Sequence, residues 1–201
     1  MNAVAHFLNV AMFFVLIFGW LIFTVFFLAR VKTPRVAESR RDRASIVGIV
    51  MQMIAFALVW SVRRPLFSPI LHLGWPFDIA MAAGAIALLA GSIWMATAAV
   101  GALGKQWSYA ARLVEGHALI TEGPYRLVRH PIYTGLFGMM LATGLVMTYW
   151  FVLLAASAIF LIGTNIRTRS EERLLRDEFG AAYESYARRV PALIPRLRNK
   201  G

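Results

Sequence analysis

Long, nearly uncharged apolar runs constrain this chain more than any other feature. Val4 to Ala29, Ala44 to Val62 and Asp78 to Val100 each approach the roughly 20 residues that cross a bilayer as helix. A fourth run, Ile132 to about Ile166, is too long for one upright span and is interrupted near Met147, Thr148, Tyr149 and Trp150. It predicts two short arms joined as a helical hairpin. Hydrophobic residues fill 59% of the 201 positions, more than a soluble domain of this length can hide. The fold class is therefore an all-α integral membrane protein with five transmembrane helices, at about 4–29, 44–62, 78–100, 132–147 and 149–166. A single membrane domain is expected over 1–201. The first run has no basic residues before it and no small-residue cleavage pattern after it, so it reads as a span rather than a leader.

Charge sets the orientation. The net charge is +11, which basic loops beside membrane spans and anionic headgroups explain without nucleic acid as a partner. With five spans the loops alternate, and all 21 Lys and Arg except Arg63 and Arg64 fall on one side. That asymmetry predicts an outside N-terminus and a cytoplasmic C-terminus, in the cell's inner membrane if the source is bacterial. Having no cysteine, the chain has no disulfide, thiolate metal site or cysteine nucleophile, and its histidines lack the neighbours of a metal site.

Two small-residue faces suggest close helix packing, Ala83, Ala87 and Gly91 on the third span and Gly135, Gly138 and Ala142 on the fourth. Past Ile166, Leu175, Phe179, Ala182, Tyr183 and Tyr186 recur at helical spacing opposite Arg173, Arg176, Asp177, Glu184 and Arg188. This predicts a cytoplasmic amphipathic C-terminal helix within 167–201, ended by Pro191 and Pro195, whose extended tail folds back on the membrane face. Arg167, Glu171 and Leu175 share one face of it. Spacing alone also fits a weak surface ion pair between Arg167 and Glu171.

The candidate site is the polar, proline-punctuated segment HALITEGPYRLVRHPIYTG, His117 to Gly135. It closes a connecting segment over 101–131 and faces the cytoplasm in the topology above. Gly101 to Gly104 is no dinucleotide fingerprint, because it follows a membrane helix and not a strand.

GPYRLVRHPIYTG, the earlier ALGKQWS, the later Arg167 with the Glu171-Glu172 pair, and FGAAYESYARRVPALIP together resemble the isoprenylcysteine carboxyl methyltransferase family and its phospholipid methyltransferase relatives. The resemblance covers about Leu103 to Pro195. It implies S-adenosylmethionine as cofactor, contacted by His117, Ala118, Leu119, Ile120, Tyr125, His130, Pro131, Ile132 and Tyr133, with Glu171 as the acidic ligand. Arg167 matches an arginine facing the methyl acceptor, so Arg167 and Glu171 are the expected catalytic pair and Arg167 the substrate-binding residue. Arg112 aligns with a further cofactor contact.

A fixed guanidinium favours an acceptor that is already an anion, a carboxylate or thiolate, over an amine that must lose a proton. The expected function is thus methyl transfer to a lipophilic carboxylate by in-line displacement. Phospholipid amine N-methylation and thiol S-methylation are the enzymatic alternatives, and a non-enzymatic lipid- or partner-binding membrane protein is the alternative of another class. The expected partners are a lipophilic or small-molecule acceptor and membrane lipids; the acceptor's identity and the oligomeric state stay open.

Overall fold

A computed structural model describes residues 3–31, 38–41, 44–65, 68, 70–71, 73–107, 112–114 and 118–195. Six helices dominate it: α1 (Ala3–Val31), α2 (Ala44–Ser61), α3 (Trp75–Leu103), α4 (Pro131–Met147), α5 (Trp150–Phe179) and α6 (Ala181–Arg189). Four of them, α1, α2, α3 and the helix beginning at Trp150, are long and apolar enough to cross a membrane, whereas α4 is a shorter apolar helix. Their outer faces carry exposed large apolar side chains such as Phe14, Phe18, Met53, Ile54, Trp94, Leu154 and Ile162. So much exposed apolar surface is the mark of a chain solvated by lipid.

α4 is the helix that protein surrounds. Met139, Ala142 and Met147 pack with Leu16, Phe23 and Phe27 of α1 and Leu89, Ala96 and Val100 of α3. On its other side Met140 joins Ala55 and Val59 of α2 and Leu153, Ala156 and Phe160 of α5. Thr148 and Tyr149 link α4 to α5. The expected hairpin is looser than its short turn suggests, since α4 packs chiefly on α3 and α5 chiefly on α2.

The small-residue faces divide. Gly135 and Gly138 are buried against Ser92 and Ala96 of α3, so close that an added Cβ would meet Ser92 Oγ at 2.1 Å from Gly138. The α3 stripe behaves otherwise: Ala83, Ala87 and Gly91 are exposed, and α3 packs through Ala85, Leu89, Ser92 and Ala96. Identical spacing on three faces of a uniformly apolar helix does not say which face is inside. α2 and α5 meet at another glycine pair, where an added Cβ on Gly48 would lie 2.5 Å from the Gly163 carbonyl oxygen and 2.4 Å from Arg167 Cγ. Only glycine admits that approach.

Two further expectations change. A break was expected after Ile166, but α5 runs unbroken to Phe179, so Arg167 and Glu171 ride on the same helix as the last apolar run. The single amphipathic helix instead breaks at Gly180, whose φ of 47° lies where glycine is at ease. The all-α expectation also lacked a two-stranded antiparallel ribbon, β1 (Glu38–Arg41) with β2 (Arg112–Val114). This ribbon joins the segment after α1 to the one after α3. The segment after α2 meets the α4–α5 turn instead, with Arg64 N donating to Met147 O at 2.9 Å. Loops that the charge rule assigned to opposite sides thus make separate contacts.

Candidate active site

Proline fixes the start of α4. Pro131 stands in its first turn, where the missing N–H costs nothing, and His130 precedes it in non-helical backbone. Before them a short 3-10 turn, Gly123–Arg126, buries Pro124 and Tyr125. These pieces line one side of a cavity of about 400 Å³. It is lined by apolar Ala118, Leu119, Ile120, Pro131 and Ile132, by polar His130, Tyr133, Arg167 and Glu171, and by Tyr125, Tyr183 and Tyr186. Trp20, Phe23 and Phe27 of α1 add an aromatic part to the lining. His117 lies outside the described residues, as do the side chains of β2, Arg112 among them; each other expected site residue lines this cavity.

Charges in the lining are interlocked. His130, 5% exposed, sets Nδ1 3.3 Å from Glu171 Oε2 and Nε2 3.1 Å from Glu172 Oε1. Two carboxylates on two ring nitrogens require both nitrogens to donate, which is the imidazolium form. Burial opposes that charge, but the hydrogen bonds to Glu171 and Glu172 outweigh it and raise the His130 pKa. Burial likewise opposes ionisation of Glu172, yet His130 and Arg129 hold its pKa down to about 2. Glu171 is lowered in the same way, burial being overcome by His130, Arg167 and Tyr133. Tyr133 donates its hydroxyl to Glu171 Oε1. Burial, with Glu171 beside it, pushes Tyr125 above the ordinary tyrosine range.

Arg167 is 8% exposed and stacks its guanidinium over the Tyr133 ring, 4.5 Å from the centroid. Its Nη1 donates to Gln52 Oε1 at 2.6 Å, and Gln52 Nε2 donates to Thr164 Oγ1 at 2.8 Å. Arg129 gathers the tail: Nε and Nη2 donate to Glu172 Oε1 at 3.0 and 2.7 Å, Nη1 to Ala187 O at 3.0 Å and Val190 O at 2.5 Å. The tail returns the contact. Arg129 N donates to Pro191 O, His130 N to Ala192 O, and Thr134 Oγ1 to Leu193 O at 2.7 Å. The residues after α6 are therefore strapped across the start of α4, beside the site.

Sequence reasoning missed Gln52, Arg129 and the bridging role of Glu172. Gln52 carried a signal, being the one amide in the apolar run Ala44 to Val62, where a polar side chain needs an internal partner. The α1 wall carried none, since its aromatics resemble those that face lipid.

The interlock has a pH signature. Stability from the depressed Glu171 and Glu172 is present above about pH 4.5, their ordinary value, and is lost as pH falls below it, the Glu172 share as pH falls through about 2. Stability from the raised His130 is full below about 6.5 and is lost as pH rises through its higher folded value. The unfolding temperature of detergent-solubilised protein should therefore be highest between about pH 4.5 and 6.5. His130→Asn should flatten the alkaline limb; an unchanged limb would refute the imidazolium bridge.

The sequence model of the phospholipid methyltransferase family matches residues 79–182, just over half of the chain. The chain belongs to this family. Its relatives include the protein-S-isoprenylcysteine O-methyltransferase of Schizosaccharomyces pombe, 34% identical over 94 residues, 46% of this chain and 40% of that protein. Methanethiol S-methyltransferase 2 of Bradyrhizobium diazoefficiens is 34% identical over 84 residues, 42% of this chain and 31% of that protein. The nickel-cobalt-cadmium resistance protein NccN of Alcaligenes xylosoxydans xylosoxydans is 31% identical over 161 residues, 78% of this chain and 66% of that protein. The chain thus spans less than half the length of the two methyltransferases. Within this phospholipid methyltransferase family member the match takes in α4, α5 and the connecting segment, and leaves out α1 and α2.

Proposed function

We propose that this protein is an S-adenosylmethionine-dependent membrane methyltransferase acting at the cytoplasmic face on a lipophilic anion, a carboxylate first. One observation carries the reading: the carboxylate of Glu171 and the guanidinium of Arg167, one helical turn apart on α5, line the same cavity as the aromatic side chains Trp20, Phe23 and Phe27 of α1. The residues fit the methyl donor. Glu171 suits its ammonium, Tyr133 and Tyr125 its cationic centre, and Leu119, Ile120 and Pro131 its adenine. When bound, S-adenosylmethionine supplies a methyl group on a sulfonium that is already a good leaving group.

What remains for the protein is alignment and the exclusion of water. Well-oriented intramolecular reactions gain roughly 7–11 kcal/mol from alignment alone. Arg167, fixed from below by Gln52 and from the side by Tyr133, orients an anionic head group, and the wall of Trp20, Phe23 and Phe27 shelters its apolar tail. No general base is required, because a carboxylate or thiolate acceptor is a nucleophile as it stands. A thiolate is the second reading, favoured by the same arginine and by the similarity to an S-methyltransferase. The basic loops support five spans with the site on the cytoplasmic side.

Membranes holding the protein, supplied with methyl-labelled S-adenosylmethionine, should yield a labelled lipophilic product. Base-labile label identifies a methyl ester, and base-stable label an S- or N-methyl group. Purified protein with no saturable S-adenosylmethionine binding in calorimetry would defeat the proposal.

A further inference from the structure

We infer that Gln52 is a positioning residue that sets the acceptor's charge, by orienting Arg167 through a partner that carries no charge of its own. The inference rests on the methyltransferase reading and concerns a residue outside the family match. Gln52 is 5% exposed in the middle of an apolar helix, where an amide is costly unless both its ends are bonded. Both are: Oε1 accepts from Arg167 Nη1 at 2.6 Å and Nε2 donates to Thr164 Oγ1 at 2.8 Å. Thr164, itself buried, lies one turn before Arg167 on α5, so the amide can present only its oxygen to the guanidinium.

Backbone packing enforces the contact. Gly48, one turn before Gln52, lets α2 close on the Arg167 stem, and Gly163, one turn before Arg167, accepts α2 in return. The arginine is thus gripped along its length by α2 and faced by the Tyr133 ring at its head. A glutamate at position 52 would hold the same geometry but place a second carboxylate beside Glu171 on this cation. A glutamine orients it without that neutralisation, and the cation's remaining attraction is directed to the cavity it lines. The chemistry selected is an anionic head group over a neutral or cationic one of the same shape.

The test uses the full chain in lipid nanodiscs, with S-adenosylhomocysteine to report the donor subsite. A prenyl thioether acetate and its primary amide, alike in shape but not in charge, report the acceptor subsite. Wild type should prefer the acid. Gln52→Glu should cut that preference about ten-fold or more while leaving S-adenosylhomocysteine affinity unchanged, a split that general loosening of the helices would not give. Thr164→Val, nearly isosteric, frees the amide and should raise the KM for the acid several-fold with kcat little altered. It decides the matter if Gln52→Glu does not fold. An acid-to-amide preference in Gln52→Glu equal to wild type, or a Thr164→Val enzyme with wild-type KM, overturns the inference. Wild type that fails to bind S-adenosylhomocysteine defeats the underlying methyltransferase reading instead.

Discussion

Replacing Glu171 with alanine should weaken S-adenosylmethionine binding by roughly thirty-fold to several thousand-fold, the range that follows from removing one member of a buried, hydrogen-bonded charge pair at about 2–5 kcal/mol. Glu171 receives Tyr133 Oη and His130 Nδ1, so its oxygens are held rigidly, and 27% of its side chain still reaches the cavity. A carboxylate so fixed binds an ammonium without first having to be ordered. The sharper variant is Glu171→Gln, which keeps size and an acceptor oxygen and removes only the charge. Calorimetric titration should give it most of the alanine defect. Wild-type affinity in Glu171→Gln would mean that the ammonium is bound elsewhere. Unfolding temperature serves as the control, because Glu172 still anchors His130 in both variants.

Arg129→Ala should have the largest effect on integrity. Four donated hydrogen bonds vanish together, two to Glu172 and two to the carbonyls of Ala187 and Val190. Breaking a buried pair costs about 3–5 kcal/mol when the surviving charge has no other partner. Glu172 keeps His130 and the half-exposed Arg176, so the lower end of that range applies. Loss of the carbonyl contacts should also release the strap over α4. The expected signature is a clear fall in unfolding temperature together with new proteolytic cleavage between α6 and Pro195. Arg129→Lys should restore little, because one ammonium cannot serve both the carboxylate and two carbonyls on the other side. Wild-type protease resistance in Arg129→Ala would show that the strap holds by other means.

The sequence made some of this legible and hid the rest for physical reasons. Mean hydropathy marks where lipid surrounds a helix, so the spans near α1, α2 and α3 read directly. It does not mark where a helix ends, and the polar turn at Arg167 looked like a boundary although the backbone continues to Phe179. The membership of the cavity was readable because polar and aromatic residues between apolar runs have few structural reasons to be there. The wiring was not. That His130 bridges Glu171 and Glu172 depends on how α4 meets α5, and the small stripe of α3 turned outward because packing on α4 used the neighbouring face. The β1–β2 ribbon was invisible, since Glu38–Arg41 is a charged stretch with nothing of a strand's alternation.

The uninterrupted α5 has one more consequence. An α-helix rises 1.5 Å per residue, so Arg167 and Glu171 are held roughly 6 Å apart along a stiff rod. On the proposed reading this makes the helix a ruler between methyl donor and acceptor, with a length that no loop motion alters. A lineage built on such a ruler would adapt to new acceptors by recarving the wall contributed by α1, and leave the graduation marks where they are.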